Sequence, residues 1–284
     1  RTHVRGRDAC EQADDAVHDG ATGFELLDSV SGVQPHRDVP AVPPPAVARA
    51  APATGSRSGE TLRGHQLALL VEESQRDRPV EALPGFAEGD WWVQDAASSI
   101  PARLLGLAPG ARVLDLCAAP GGKTAQLVKA GYAVTALDAD AKRMERLKEN
   151  LTRLDYTAET VVGDAGTFAP EAPFAGVLLD APCSATGTFR RHPEVIWHRS
   201  VGDVAGRVRL QRALLSNAYR CLASDGVLIY CVCSLEPAEG EQQVDWALQS
   251  LPGLSLWPVT TGEMAGLEAA VSPAGLIRTH PGML

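Results

Sequence analysis

The chain has 284 residues, 45% of them hydrophobic, which is enough to bury a sizeable core in one large domain or in a domain with a smaller partner. Its formal net charge of −9 excludes a global positive field that would draw it to nucleic acid or to an anionic membrane. The six cysteines show no C-x-x-C pair and no zinc spacing, and no segment approaches the ~20 apolar residues of a membrane span. These totals predict a soluble, cytoplasmic monomer with reduced thiols and no metal.

The N-terminal part differs in composition from the rest of the chain. Its first 90 residues hold nine Lys and Arg against fifteen Asp and Glu, and the segment 39–52 is mostly alanine, valine and proline. This composition is typical of a linker rather than a core, and 62–73 is the one stretch with a convincing helical pattern. We therefore divide the chain into an N-terminal segment, 1–82, and a main domain, 83–284.

From residue 98 onward, apolar strands alternate with amphipathic helices. The alternation predicts an α/β fold with a doubly wound, mostly parallel sheet covered on both faces. The predicted strands are 112–117, 133–138, 159–162, 176–180 and 227–231, with short ones at 254–258 and 275–278. The predicted helices are 102–107, one ending at 130, 141–154, 207–222 and one running to 248.

The loop 118–124, directly after the first strand of the main domain, is glycine-rich. A phosphate-binding P-loop needs a glycine where this chain has Cys117, and a dinucleotide fingerprint needs G-x-G-x-x-G where it has only the adjacent Gly121 and Gly122. What remains is a turn that lets a ligand approach the backbone closely.

Acids end successive strands of the predicted sheet. Asp138 follows Asp115 by 23 residues and is placed to accept hydrogen bonds from a ribose diol, and Asp164 is expected to reach an adenine. Each acid alone is more often a solvated loop residue. Three acids at successive strand ends favour a nucleoside site. S-adenosyl-L-methionine has the same ribose diol and carries no phosphates that would need a P-loop.

Two thiols and one acid follow neighbouring predicted strands. Asp180 and Cys183 come after one strand and Cys233 follows 227–231, so both thiols are expected to face one cavity. A lone cysteine is usually a small buried hydrophobe. Together with an adenosyl cofactor, however, this set suits addition of a thiolate to carbon 6 of cytosine, with the acid hydrogen-bonding the base. Lys123 is expected to favour the thiolate.

Four motifs carry these residues. They are Asp-Leu-Cys-Ala-Ala-Pro-Gly-Gly-Lys-Thr at 115–124, Asp-Ala-Pro-Cys-Ser-Ala-Thr-Gly at 180–187, Arg-His-Pro-Glu at 191–194 with Trp197, and Cys233-Ser234 followed by Pro237 and Glu241. Over about 83–278 the chain closely resembles the bacterial ribosomal-RNA cytosine-5 methyltransferases, which are related to the eukaryotic nucleolar and tRNA cytosine-5 enzymes.

The resemblance implies a methyltransferase catalytic domain, S-adenosyl-L-methionine as cofactor, and RNA, most readily 16S ribosomal RNA, as substrate. It implies that Cys233 is the nucleophile, that Cys183 assists breakdown of the covalent adduct, and that Asp180 contacts the target base, with Lys123 beside them. The residues implied at the cofactor are Cys117, Ala118, Ala119, Pro120, Gly121, Gly122, Lys123, Asp138, Asp164 and Asp180.

The chain departs from the family pattern in three places. Val232 stands where the family usually has threonine before the nucleophile, a nearly isosteric change that we expect activity to survive. The segment 1–82 resembles the family's RNA-contacting domain poorly, which makes it at most a degenerate version. A clean final strand is missing before Leu284, so the domain is expected to be truncated there.

A basic segment follows the Cys183 motif. Residues 190–220 hold seven arginines against two acids, which predicts a phosphate-binding patch beside the thiols, although such clusters are more often solvated helix faces. The residues predicted to bind RNA are Arg190, Arg191, His192 and Arg199. Two other hypotheses stay open: a DNA cytosine-5 methyltransferase with Cys183 as nucleophile, and a non-catalytic RNA-binding or assembly protein.

Overall fold

A computed structural model describes residues 2–8, 31–35, 69–70 and 78–280 apart from 190, 199 and 265. The described residues form eleven strands and six α-helices. The strands are β1 Thr2–Asp8, β2 Ser31–Pro35, β3 Leu69–Leu70, β4 Trp91–Asp95, β5 Arg112–Leu116, β6 Ala133–Asp138, β7 Glu159–Val162, β8 Phe174–Asp180, β9 Leu222–Val232, β10 Leu254–Leu256 and β11 Ile277–Arg278. The helices are α1 Ile100–Arg103, α2 Gly122–Lys129, α3 Ala141–Arg153, α4 Val195–His198, α5 Val201–Arg220 and α6 Glu241–Ser250.

The main sheet has eight strands in the order β10-β1-β9-β8-β5-β6-β7, with β11 paired to β1. Every pairing in it is parallel, so the predicted doubly wound parallel sheet is confirmed. The predicted short strands near 254 and 277 are also present. Parallel strands place their carboxyl ends at one edge, and β5, β6, β8 and β9 therefore deliver their following loops to the same side.

The central strands are mostly apolar because both faces of the sheet are covered. Leu114 of β5, Leu178 of β8 and Ile229 of β9 are completely buried. The covering helices have defined starts. Asp140 caps α3 by accepting from two backbone N–H groups, and Ser200 with Asp203 forms a capping box at α5.

Strands β3, β2 and β4 form a separate small antiparallel sheet in that order. The helix predicted over 62–73 is wrong at Leu69–Leu70, which form β3 and pair with β2. The rest of that prediction lies outside the described residues. Strand pairing with a distant segment overrides the weak local helical pattern here.

The N-terminal strand β1 lies in the main sheet, between β9 and β10. The division of the chain at 82/83 remains a prediction, but the boundary does not follow the sheet, because seven residues of the N-terminal segment pair with strands of the main domain. A local composition cannot reveal a pairing with partners more than 200 residues away.

The first predicted helix of the main domain is shorter than expected. It ends at Arg103 rather than at 107, because the chain leaves the helix at Leu104 and Gly106 adopts a left-handed conformation with φ +60°. In the part of the chain that the structure describes, no helix is both long and apolar enough to cross a membrane.

Candidate active site

The glycine-rich turn between β5 and α2 is tightly packed against the neighbouring helix. Gly121 has φ +104°, and a Cβ there would lie 2.9 Å from the side chain of Leu147 in α3. Cys117 also has positive φ, at +61°, and the Ala119–Pro120 peptide bond is cis. Only glycine fits at position 121, because the turn packs directly against α3, and the close approach of a ligand to this backbone stays a prediction.

Asp138, at the end of β6, is joined to that turn. Its Oδ2 accepts from the backbone N–H of Ala119 at 3.1 Å, and its Oδ1 accepts from that of Asp140 at 3.0 Å. Because a carboxylate offers about four acceptor positions, Asp138 keeps capacity for two ribose hydroxyls. Asp164 is exposed, and its Oδ1 accepts from the backbone N–H of Gly166 at 2.8 Å. Both acids lie at the predicted edge.

Asp115 lies beneath the turn and is completely buried. Its Oδ2 accepts from Thr124 Oγ1 at 2.7 Å, whereas its Oδ1 has no hydrogen-bond partner among the described residues. Burial raises the pKa of Asp115 to about 7, against the lowering effect of the Thr124 hydrogen bond. Burial also raises the pKa of the Cys117 thiol, and the charge of Asp180 acts in the same direction.

These features fit the predicted cofactor. A buried carboxylate oxygen without a partner is costly unless a ligand donates to it, and the α-ammonium group of S-adenosyl-L-methionine is such a donor. Asp138 retains acceptor positions for its ribose, because only two of them are used by backbone N–H groups.

Lys123 and Asp180 form a buried ion pair at the end of β8. Lys123 Nζ lies 2.7 Å from Asp180 Oδ2, and the side chains are 6% and 10% exposed. Lys123 Nζ also bonds Ser98 Oγ at 3.1 Å, and Cys231 Sγ lies 3.6 Å from Asp180 Oδ1. Lys123 therefore contacts Asp180 and Ser98 at this edge. The predicted effect of Lys123 on a thiolate stays a prediction.

The two predicted thiols are adjacent. The Sγ atoms of Cys183 and Cys233 are 3.3 Å apart, and both residues are half-buried. The register explains this proximity, since Asp180 of β8 pairs with Cys231 of β9 and each thiol follows its strand end within three residues. None of the five described cysteines takes part in a disulfide.

The predicted RNA residues divide into two groups. Arg190 and Arg199 lie outside the described residues, whereas Arg191 and His192 are half-buried. Burial lowers the pKa of Arg191, and the charge of Cys233 acts in the opposite direction. His192 Nδ1 lies 3.3 Å from the carboxylate of Glu194.

A buried polar cluster behind the thiols was not predicted. It consists of Ser184, Gln211, Ser234 and Glu239, each at most 1% exposed. Glu239 stands in a stretch with two other acids, Glu236 and Glu241, and such a run normally indicates a solvated surface. The sequence around Ser234 alternates between apolar and polar residues, but this pattern does not indicate that the nearby Glu239 is buried.

Comparison with known proteins agrees with the geometry. The parallel sheet with its glycine turn and acidic edge has the fold of the S-adenosyl-L-methionine-dependent methyltransferases. A methyltransferase homologue from Pyrococcus horikoshii superposes with a TM-score of 0.58 at 31% identity, covering 67% of this chain and 60% of that one. NSun6 from the same organism, solved with SFG, gives 0.57 at 29% identity, covering 61% and 45%.

The model of the family "16S rRNA methyltransferase RsmB/F" matches residues 102–283, and the chain belongs to this family. Ribosomal RNA small subunit methyltransferase B of Pseudomonas syringae pv. tomato is 42% identical over 207 residues, 71% of this chain and 45% of that protein. Its Vibrio cholerae counterpart is 43% identical over 182 residues, 62% and 42% respectively. The chain thus spans a little under half the length of these relatives. The match confirms the predicted family and, with it, S-adenosyl-L-methionine as the predicted cofactor.

Proposed function

We propose that this chain transfers a methyl group from S-adenosyl-L-methionine to carbon 5 of a cytosine in RNA, with 16S ribosomal RNA as the substrate. The observation that carries the proposal is the pair of thiols, 3.3 Å apart, at neighbouring strand ends that also carry the Asp180–Lys123 ion pair. Membership of a family of 16S rRNA methyltransferases supports an rRNA substrate. The cysteine chemistry supports cytosine, whose carbon 5 is a poor nucleophile until a thiolate adds next to it.

Cys233 is the nucleophile in this mechanism. Its thiolate forms a bond to carbon 6, and the electron pair of the carbon 5–carbon 6 double bond gives carbon 5 and N3 negative charge. Asp180 accepts a hydrogen bond from the exocyclic amine of the base and keeps the ring in place, while Lys123 holds the other carboxylate oxygen at 2.7 Å. When bound, S-adenosyl-L-methionine supplies the methyl group as a methyl sulfonium.

Cys183 acts in the second half of the reaction. After carbon 5 carries the methyl group, Cys183 as a thiolate takes the carbon 5 proton, and the C–H electron pair restores the double bond and expels Cys233 as a thiolate. A group adjacent to the nucleophile is in reach of that proton, and the separation of 3.3 Å between the sulfurs meets this requirement.

The RNA side of the proposal is supported by the segment after Cys183. Arg191 is half-buried in this segment, and the Trp197 side chain in α4 is 84% exposed. A large exposed aromatic offers a stacking surface for an unpaired base, and an arginine in the same segment offers a contact for its phosphate. The target cytosine must itself be unstacked, because carbons 5 and 6 are approached from above the ring plane.

Tritium release tests the proposal directly. Protein-free 16S ribosomal RNA transcribed with cytosine tritiated at carbon 5 is incubated with the chain and S-adenosyl-L-methionine. The proposal expects tritium to appear in water in step with methyl incorporation, because carbon 5 loses its hydrogen. Methyl incorporation without tritium release would refute cytosine carbon 5 as the target, and release from tritiated DNA in preference to RNA would refute the substrate.

A further inference from the structure

The buried cluster behind the thiols is organised around one carboxylate. Glu239, in the loop before α6, is 0% exposed, and burying a carboxylate is unfavourable unless its oxygens are hydrogen-bonded. Cys233 precedes it by six residues and Cys183 lies on the other loop. The hydrogen bonds of Glu239 show what its burial accomplishes.

Glu239 is linked to both neighbours of Cys183 in the chain, to Ser184 directly and to Pro182 through Gln211. Its Oε1 and Oε2 accept from the backbone N–H of Ser184 at 2.9 and 3.2 Å, and the Ser184 hydroxyl also donates to Oε2. Gln211 of α5 donates to Glu239 Oε1 and to the carbonyl oxygen of Pro182, both at 3.0 Å. One carboxylate therefore fixes the backbone on each side of the Cys183 thiol.

The same carboxylate is connected to the residue after Cys233. Ser184 Oγ lies 3.0 Å from Ser234 Oγ, and Ser234 Oγ accepts from the backbone N–H of Glu236 at 3.0 Å. The two cysteine loops are thus joined through Ser184, whose hydroxyl contacts both Glu239 and Ser234. A change at Glu239 should alter the relation between the thiols rather than either strand.

The hydroxyl groups between the two loops form one connected chain. Thr186 Oγ1 accepts from the backbone N–H of Leu235 at 2.9 Å and lies 3.2 Å from Ser234 Oγ. Ser234 Oγ lies 3.0 Å from Ser184 Oγ, whose hydroxyl donates to Glu239 Oε2. The chain therefore runs from the loop after Cys183, through the residue after Cys233, to Glu239.

We propose that Glu239 is a positioning residue that holds Cys183 in register with Cys233 for breakdown of the covalent adduct. The inference rests on the proposed function. Addition of Cys233 to the base needs one thiol, whereas release of the product needs both in the correct relation. Loss of the carboxylate should therefore slow release more than addition.

The test uses Glu239→Gln, which preserves size and one acceptor oxygen. The new NH₂ group faces the Ser184 hydroxyl hydrogen, so that hydrogen must turn towards Ser234 and disturb the next bond as well. The matched control is Asp245→Asn, the same chemical change at an exposed acid of α6. Each variant is given 16S ribosomal RNA and S-adenosyl-L-methionine, and turnover, KM for RNA and the fraction of protein–RNA adduct on a denaturing gel are measured.

We expect Glu239→Gln to lower kcat at least about tenfold, since small misplacements of reacting groups have effects of this size, and to accumulate adduct with little change in KM. Asp245→Asn should match the parent. Parent-like kcat, or a lost kcat without adduct, would overturn the inference. If Glu239→Gln does not fold, Ser184→Ala decides: it removes the hydroxyl link and keeps the backbone bond, and must also accumulate adduct.

Cys183→Ala separates this inference from the proposed function. If Cys183→Ala forms no adduct with RNA, the proposed covalent mechanism fails. If it forms adduct while neither Glu239→Gln nor Ser184→Ala does, the mechanism stands and the role of Glu239 is wrong.

Discussion

The Lys123–Asp180 ion pair gives a prediction whose size can be estimated from burial. Lys123→Met removes the cation at 2.7 Å from a carboxylate whose side chain is only 10% exposed. Breaking one side of a buried pair costs about 3–5 kcal/mol, because the remaining charge is left in the interior. For a domain of this size, such a loss lowers the melting temperature by on the order of 10 °C. Unfolding in urea or by heat measures it.

Two further variants isolate the cause. Lys123→Met combined with Asp180→Leu removes both charges and should regain most of the lost stability, while methylation stays absent because the base loses its acid. Lys129→Met is the matched control on the same helix: Lys129 is half-buried, and its Nζ lies 5.8 Å from the Trp92 ring centroid, a contact worth about 1–2 kcal/mol. The reasoning is refuted if Lys123→Met costs no more than Lys129→Met, or if the double variant is less stable than Lys123→Met.

Two other variants test the geometry around the thiols and the RNA surface. A Cβ at Gly187 would lie 2.7 Å from the carbonyl oxygen of Cys233, so Gly187→Ala should displace the nucleophile and lower kcat at least about tenfold. Gly206 has open space around it, so Gly206→Ala should leave kcat unchanged. Equal kcat values for the two variants would contradict this reasoning. Trp197→Ala removes an 84% exposed ring and should raise KM for RNA about tenfold. The control is Trp257→Ala, which removes a ring that is 38% exposed and should leave KM near the parent value. An unchanged KM in Trp197→Ala would contradict the stacking role.

Strand ends were the most predictable part of the site. Apolar runs that end in an acid identify buried parallel strands, and adjacent parallel strands bring the residues after them together. This reasoning placed Cys183 and Cys233 at one cavity, and their sulfurs are 3.3 Å apart. It also placed Asp138 at the same edge of the sheet, where the acid accepts from the backbone N–H of Ala119, a contact that was not predicted.

Pairings between distant segments could not be predicted in the same way. Strand β1 pairs with β9 across more than 200 residues, and its own sequence is short and rich in charged residues. Lys123 and Asp180 are 57 residues apart, and nothing in either local pattern indicates that one neutralises the other. Such contacts depend on strand order, which a single sequence constrains only loosely.

Glu239 was missed for a different reason. Its neighbourhood is acidic, and charges are usually solvated, so the pattern favoured a surface loop. Burial became evident only with the loops of Cys183 and Cys233 in place, because the donors to its carboxylate, from Ser184 and Gln211, lie 55 and 28 residues away.

The central claim is that Cys233 attacks the base and Cys183 completes the reaction, and trapping the adduct tests it most directly. Cys183→Ala and Cys233→Ala are each incubated with 16S ribosomal RNA and S-adenosyl-L-methionine and run on a denaturing gel. The account predicts a shifted protein–RNA band for Cys183→Ala and none for Cys233→Ala or for the double variant. A shifted band for Cys233→Ala, with Cys183→Ala inactive and free of adduct, would contradict it and assign the nucleophile to Cys183.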